Sequence, residues 1–168
     1  MFRKSAVVIV LRRYVGGRTL PNIMLSADYI VGLTDCEGSF TAYLRAPCQK
    51  HGAKNYRVEC HYYLKMRDDD RALIQKIKNY FKVGRVSFQK DNRSNHHHCY
   101  RYEVTNLREI TENIIPFFDQ HPLQGNKAKD YALFKKIVKA VLNKEHQTKK
   151  GLERIRHLKE KMHIYWAR

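Results

Sequence analysis

Residues 30 to 38 read IVGLTDCEG, Ile30 to Gly38, and the change of pattern across them decides the fold. Ahead of this stretch, Ser26 or Asp28 can cap a helix that runs through Tyr29, Ile30 and Leu33 and ends near Cys36. After Gly38 the period becomes two. Phe40, Ala42 and Leu44 fall on one side and Ser39, Thr41, Tyr43 and Arg45 on the other, the pattern of a half-buried strand. A helix that hands over to a strand at Gly38 leaves Asp35 and Glu37 at the junction, where a carboxylate can project outside the core.

Working outward, Pro47, His51 and Gly52 mark a turn. A second strand follows, with Val58, Cys60, Tyr62, Leu64 and Met66 facing one way and Arg57, Glu59, His61, Tyr63, Lys65 and Arg67 the other. The run DDDRALIQKIKNYFK opens with acids suited to a helix N-terminus and repeats apolar residues at Leu73, Ile74, Ile77 and Phe81. Two more alternating segments, residues 84–90 and 100–105, place Arg85, Ser87 and Gln89 opposite Val86 and Phe88, and Arg101 and Glu103 opposite Tyr102 and Val104. Beyond Asn106 the chain reads as helical. Leu107, Ile110 and Ile114 mark a helix closed by Pro116 with the FFDQHP stretch after it, a longer one starts near Asn126, and a terminal one carries Leu152, Ile155, Leu158 and Met162.

This order predicts an α+β domain, residues 26–168, preceded by a basic arm or extension, residues 1–25. Helices cover one face of an antiparallel sheet and leave the other free. The free face would carry Thr41, Tyr43, Arg45, Arg57, His61, Tyr63, Lys65, Arg85, Ser87, Gln89 and Arg101, a set able to hold a phosphate backbone and read base edges.

Composition points the same way. Thirty-three Lys and Arg against 16 Asp and Glu leave a formal charge of +17, which a polyanionic partner offsets. The cations run along the whole chain among 11 tyrosines rather than along one amphipathic helix, which favours nucleic acid over a membrane surface. Cys36, Cys48, Cys60 and Cys99 form no CxxC pair or zinc spacing, so the expected compartment is intracellular and reducing, a bacterial cytoplasm or an organelle matrix. His96, His97 and His98 read as a polar loop that touches phosphate rather than as a structural metal site. The acid-free first 27 residues, with Arg3, Lys4, Arg12, Arg13 and Arg18, fit an organellar targeting peptide and a DNA-binding arm equally well.

Asp35 and Glu37 have two readings of their own: turn residues held by nearby cations, or a metal site. Mg²⁺ takes one or two protein carboxylates and completes its shell with water and phosphate oxygens, so one acid per phosphate is enough.

IVGLTDCEG resembles the LAGLIDADG motif of the homing endonucleases of that name. Gly32, Leu33, Asp35 and Gly38 are identical to it, Ile30 and Glu37 are conservative, and Val31, Thr34 and Cys36 depart. The similarity extends through Ser39-Phe40, RDDDRALIQKIKNYF, KVGRV, HPLQGNKAKDYALF and GLERIRHLKEKM to single-motif members. It implies an αββαββα fold and a saddle-shaped DNA-binding sheet. It further implies that Glu37 is the metal-binding acid assisted by the Cys36 carbonyl, that Asp35 caps the motif helix, and that Lys127 lies near the scissile phosphate. Where relatives place a polar water-positioning residue this chain has Met66; Arg67, the preferred substitute, or Lys65 takes that role, or the register shifts by one, or the chain cleaves poorly.

A single motif supplies one acid, so the resemblance implies a homodimer with Val31, Gly32 and Asp35 where two motif helices meet. The implied reaction is a Mg²⁺-dependent double-strand break, Mn²⁺ substituting, with short 3′ overhangs in a long, partly palindromic target, by an intron-encoded protein. Two alternatives keep the fold: a maturase that binds intron RNA, and a DNA-binding regulator without cleavage, which Met66 favours.

Overall fold

The computed structural model describes residues 25–47 and 55–163, together with two backbone strands, β1 (Tyr14–Val15) and β2 (Arg18–Thr19), that pair antiparallel. The rest of the expected arm, Cys48 and the tip of the expected turn at His51 and Gly52 lie outside the described residues.

Helix α1 (Ala27–Glu37) starts where the Ser26 side chain accepts the Tyr29 N–H at 3.1 Å, the usual N-terminal cap of a serine. It passes into strand β3 (Gly38–Arg45) without a loop. Gly38 makes that junction possible. A Cβ added there would sit 2.6 Å from Thr34 Cγ2 and 2.7 Å from the Thr34 carbonyl oxygen, and the carbonyl has no room to yield. Gly38→Ala is expected to lower unfolding free energy by about 1–3 kcal/mol through overpacking. A urea titration checks this, and an unchanged midpoint would contradict the close approach.

Thr34 is fully buried, and its hydroxyl shares a 2.9 Å hydrogen bond with the Tyr62 hydroxyl. This accounts for one departure from the motif: a buried threonine is tolerated because its polar group has a partner in the sheet.

Strands β4 (Arg57–Arg67), β5 (Arg85–Gln89) and β6 (Cys99–Val104) complete an antiparallel sheet of order β3-β4-β6-β5. Gly38 pairs with Leu64 and Arg67 with Cys99, so the end of α1 lies beside the last residues of the long central strand β4. The three expected acids Asp68–Asp70 form a 3₁₀ turn that leads into α2 (Arg71–Phe81). From Ala27 onward the element order is αββαββα followed by further helices, the α+β architecture that the pattern of periods predicts.

The helix closes within the expected FFDQHP stretch and not at Pro116 itself: α3 (Leu107–Glu109) continues through a π-helical segment, Ile110–Ile114, into α4 (Ile115–Gln120). Proline sits in the first turn of α4, where its missing N–H costs least. The helix stops at His121, which has φ −125° and ψ 81° and precedes Pro122, as expected for a residue kept out of the helical region by the proline after it.

Helices α5 (Lys127–Leu142) and α6 (Lys149–Glu160) complete the helical layer. Phe40 is the centre of the core, with ring centroids 5.1 to 5.4 Å from Tyr62, Phe118, Tyr131 and Phe134. Aromatic pairs at such spacing add to area burial, and these fix α4 and α5 against the sheet. No helix among the described residues is long and apolar enough to cross a membrane.

Candidate active site and nucleic-acid interface

Glu37 ends α1, is exposed, and borders two adjoining hollows. The larger, about 490 Å³, is lined by Cys36, Glu37, Gly38, Ser39, Thr41, Tyr63, Lys127, Asp130 and His163. The smaller, about 320 Å³, is lined by Glu37, Lys65, Met66, Arg67, Asp70 and Cys99. The last carbonyls of a helix have no partner within it and carry the negative end of its dipole, so a cation beside Cys36 and Glu37 is favoured. The donors are hard oxygens, the kind that Mg²⁺ takes. Among the described residues no group of three or more His, Cys, Asp or Glu could hold a metal ion. A cation at Glu37 would thus use one carboxylate and one carbonyl, and draw its remaining ligands from water and substrate.

Asp35 does not cap the motif helix. It lies in the last turn of α1, where the dipole disfavours an acid, and its Oδ2 accepts the backbone N–H groups of Gln124 at 2.8 Å and Gly125 at 3.2 Å. These two donors offset the dipole and fix the turn that leads into α5. The first residue of α5 is Lys127, only 6% exposed, whose Nζ donates to the Gly38 carbonyl. Burial pushes the ammonium below the usual lysine range, while the Asp35, Asp130 and Glu37 carboxylates pull the other way. Asp35 and Gly38 together hold a desolvated lysine at the hollow that Glu37 borders.

Alternation settles where Met66 points. It lies on the helix side with Tyr62 and Leu64, packed against the core, while Lys65 and Arg67 are exposed on the polar side. Arg67 pairs with Asp69 at 3.3 Å and reaches the same hollow as Glu37.

The polar face carries the expected residues, and many are paired with one another. Glu103, 6% exposed, is the hub: His61 Nδ1 is 2.9 Å from Oε1, Arg101 2.7 Å from Oε1 and Arg85 3.0 Å from Oε2. Glu59 accepts from Arg45 at 3.1 Å, with Arg57 at 3.9 Å. The Arg101 guanidinium lies 3.7 Å from the Tyr63 ring centroid, and that of Arg45 5.3 Å from Tyr43. Thr41, Ser87 and Gln89 are half-buried on the same sheet. Sequence reasoning put Glu59 and Glu103 on this face without giving either a role. The signal was there in part, since Arg85 is the direct cross-strand partner of Glu103.

Burial alone would raise the Glu103 pKa, but His61, Arg85 and Arg101 outweigh it and hold the carboxyl below its ordinary value of 4.5. A depressed folded-state value means that its stabilising contribution is complete above the unfolded value and is lost as pH falls through the folded one. Glu103→Gln is therefore expected to destabilise the protein at pH 7, by a margin that narrows below pH 4.5. Thermal unfolding of both forms across that range measures the gap, and a gap independent of pH would contradict the hub.

Of the three residues expected between motif helices, Gly32 is exposed, and a Cβ added to it would meet nothing within 4 Å. Val31 is 8% exposed and packs into its own core, and Asp35 is engaged by the Gln124–Gly125 turn. The histidine run lies on the exposed β5–β6 loop, where His98 Nδ1 accepts the Asp91 N–H at 3.1 Å. Cys36, Cys60 and Cys99 are free thiols.

The profile of the LAGLIDADG endonuclease family matches residues 30–138, from the motif helix through most of α5. The chain belongs to this family. It is 32% identical over 145 residues to a probable intron-encoded endonuclease 2 of Neurospora crassa, a match covering 85% of this chain and 30% of that protein. It is 26% identical over 109 residues to a probable intron-encoded DNA endonuclease 1 of Mycosarcoma maydis, covering 65% and 35%. Among solved structures, I-SmaMI bound to an uncleaved DNA target in the presence of calcium ions superimposes with a TM-score of 0.71 at 30% identity, covering 83% of this chain and 45% of that one. The homing endonuclease I-TnaI, at 24% identity and TM-score 0.70, shares the fold and is covered over 90% of its length. This LAGLIDADG chain thus spans about a third of these curated relatives and under half of I-SmaMI. Two residues in its larger hollow, Asp130 and His163, were not singled out by sequence reasoning, and nothing local in the sequence marks them.

Proposed function

We propose that the protein is a homing endonuclease, encoded in an intron, that hydrolyses both strands of a long, partly palindromic DNA duplex as a homodimer and leaves short 3′ overhangs. The observation that carries this reading is the exposed Glu37 carboxylate at a helix C-terminus, in a hollow shared with the buried Lys127, at the end of a basic sheet face. A protein that only bound nucleic acid would need neither a desolvated lysine nor an acid pointed at the polyanion. The names of the fungal relatives and the DNA-bound I-SmaMI structure support the same reading.

In this account Glu37 and the Cys36 carbonyl would hold Mg²⁺, or Mn²⁺ in its place. When bound, the cation supplies charge stabilisation at the phosphate and lowers the pKa of its water. Lys127, fixed by the Gly38 carbonyl, adds positive charge beside the scissile phosphate. Arg67, on the polar side of β4 and bordering the Glu37 hollow, orients the attacking water. Thr41, Tyr43, Arg45, Arg57, His61, Tyr63, Lys65, Arg85, Ser87, Gln89 and Arg101 contact the groove and backbone. The Glu59 and Glu103 pairings hold several of these side chains in place before DNA arrives.

The two copies meet along the exposed stripe of α1 at Gly32, where the lack of a side chain lets backbones approach, and this brings a second Glu37 to the opposite strand. A pool of random-sequence duplexes incubated with the protein and Mg²⁺ tests the proposal. Recurrent double-strand ends around one partly palindromic sequence are expected, blocked by EDTA. A pool left intact in both Mg²⁺ and Mn²⁺ would overturn it.

A further inference from the structure

We propose that His163 is the general base of this site, its ring aimed by the buried carboxylate of Asp130; the inference rests on the endonuclease reading. Arg67 can orient a water but cannot take its proton, since a guanidinium has no acceptor. Met66 faces the core, and Lys127 is a donor already engaged with Gly38. None of these three side chains accepts the proton of the attacking water.

Asp130 is 1% exposed and sits one turn along α5 from Lys127. Its Oδ1 accepts the His163 backbone N–H at 2.8 Å, and its Oδ2 lies 3.3 Å from His163 Nδ1. Contacts to both main chain and ring fix where the residue sits and how its ring is turned. They also hold His163 at φ +63°, a left-handed conformation uncommon for a residue with a side chain. With Nδ1 3.3 Å from that carboxylate, Nε2 is the ring nitrogen on the edge away from it. His163 lines the larger hollow, and its side chain is 40% exposed. The same hollow is faced by Cys36 and Glu37 from α1, Tyr63 from β4, and Lys127 and Asp130 from α5. A buried acid, an imidazole held against it and a half-exposed ring edge in the hollow that Glu37 also lines form an arrangement able to orient and activate water.

The step balances without another reactant. A proton passes from the attacking water to Nε2, and the water oxygen bonds to phosphorus. The bond from phosphorus to one bridging oxygen breaks, the leaving oxygen takes a proton from solvent, and the imidazolium returns its own to solvent.

Three substitutions separate a base from a prop. His163→Ala removes both functions. His163→Asn keeps an amide donor near the position of Nδ1 and tolerates the left-handed conformation, but loses the acceptor at Nε2. His163→Gln carries no base on a longer arm. Single-turnover cleavage in Mg²⁺ of a duplex recovered by the wild-type protein from the random pool is the readout, with binding in Ca²⁺ alongside. All three variants should bind that duplex as the wild type does and cut it about 10²- to 10⁴-fold more slowly. Free imidazole should partly restore cleavage to His163→Ala. A His163→Asn protein that cuts at the wild-type rate, or a His163→Ala protein whose rate free imidazole leaves unchanged, would overturn the assignment while leaving the endonuclease reading in place. A wild-type protein that cuts nothing overturns both.

Discussion

Glu37→Gln is expected to abolish strand cleavage and leave the protein folded and able to bind DNA. Glutamine keeps the size and the hydrogen-bonding oxygen but removes the charge that holds the cation. A metal at the phosphate contributes several kcal/mol of transition-state stabilisation, so the single-turnover rate in Mg²⁺ should fall by about 10³-fold or more. Because Glu37 is exposed at a helix end, the substitution should change stability by no more than about 0.5 kcal/mol. Affinity for the target in Ca²⁺ should stay within about threefold, since binding rests on the basic face and its counterion release. A variant that cuts at the wild-type rate would place the metal elsewhere. One that loses binding in proportion to cleavage would make Glu37 a structural residue.

The second large effect is expected at Lys127, where activity and stability should separate. Its ammonium is 6% exposed and desolvated, a state that costs free energy even with the Gly38 carbonyl as acceptor. Lys127→Met keeps the length of the side chain and removes the charge. Cleavage should drop by about 10²- to 10³-fold, the usual scale for losing one donor to a developing negative charge. Unfolding free energy should change by no more than about 1 kcal/mol, because the lost hydrogen bond is offset by the charge that no longer has to be buried. Chemical denaturation and single-turnover kinetics on one preparation read both quantities. A variant that is much less stable yet cuts normally would reverse the roles given to this residue.

The contrast between those two residues also shows what the sequence could disclose. Glu37 was legible because the junction is local: a helical period that changes to a strand period at Gly38 puts a carboxylate outside the core. Lys127 came only through the family resemblance. Its burial depends on Asp35 gripping the Gln124–Gly125 turn about ninety positions away, and no period carries that information.

Met66 departs from the family on alignment, but alternation alone already put it on the apolar side of β4 with Lys65 and Arg67 outward, and the strand has that pattern. The Glu103 hub was half legible. The alternation put it among cations, but its pairing with both His61 and Arg85 requires the strand order β4-β6-β5, which local patterns do not fix. The FFDQHP stretch does hold the end of the helix, but Pro116 itself is no stop, since in the first turn of α4 proline is compatible with a helix that runs on. Asp130 and His163 were out of reach, being 33 positions apart and joined through a left-handed backbone that no residue type announces.

The claim at the centre of this account is that each strand is cut by one Glu37 carboxylate, supplied by one of two copies of the chain. A mixed pair tests it most directly: one wild-type copy and one Glu37→Gln copy, carrying different affinity tags, purified together and incubated with supercoiled plasmid bearing the recovered target. The account predicts a complex of twice the 20.0 kDa chain mass that nicks the plasmid to open circles and does not linearise it. Linear product at the wild-type rate from the mixed pair would contradict it.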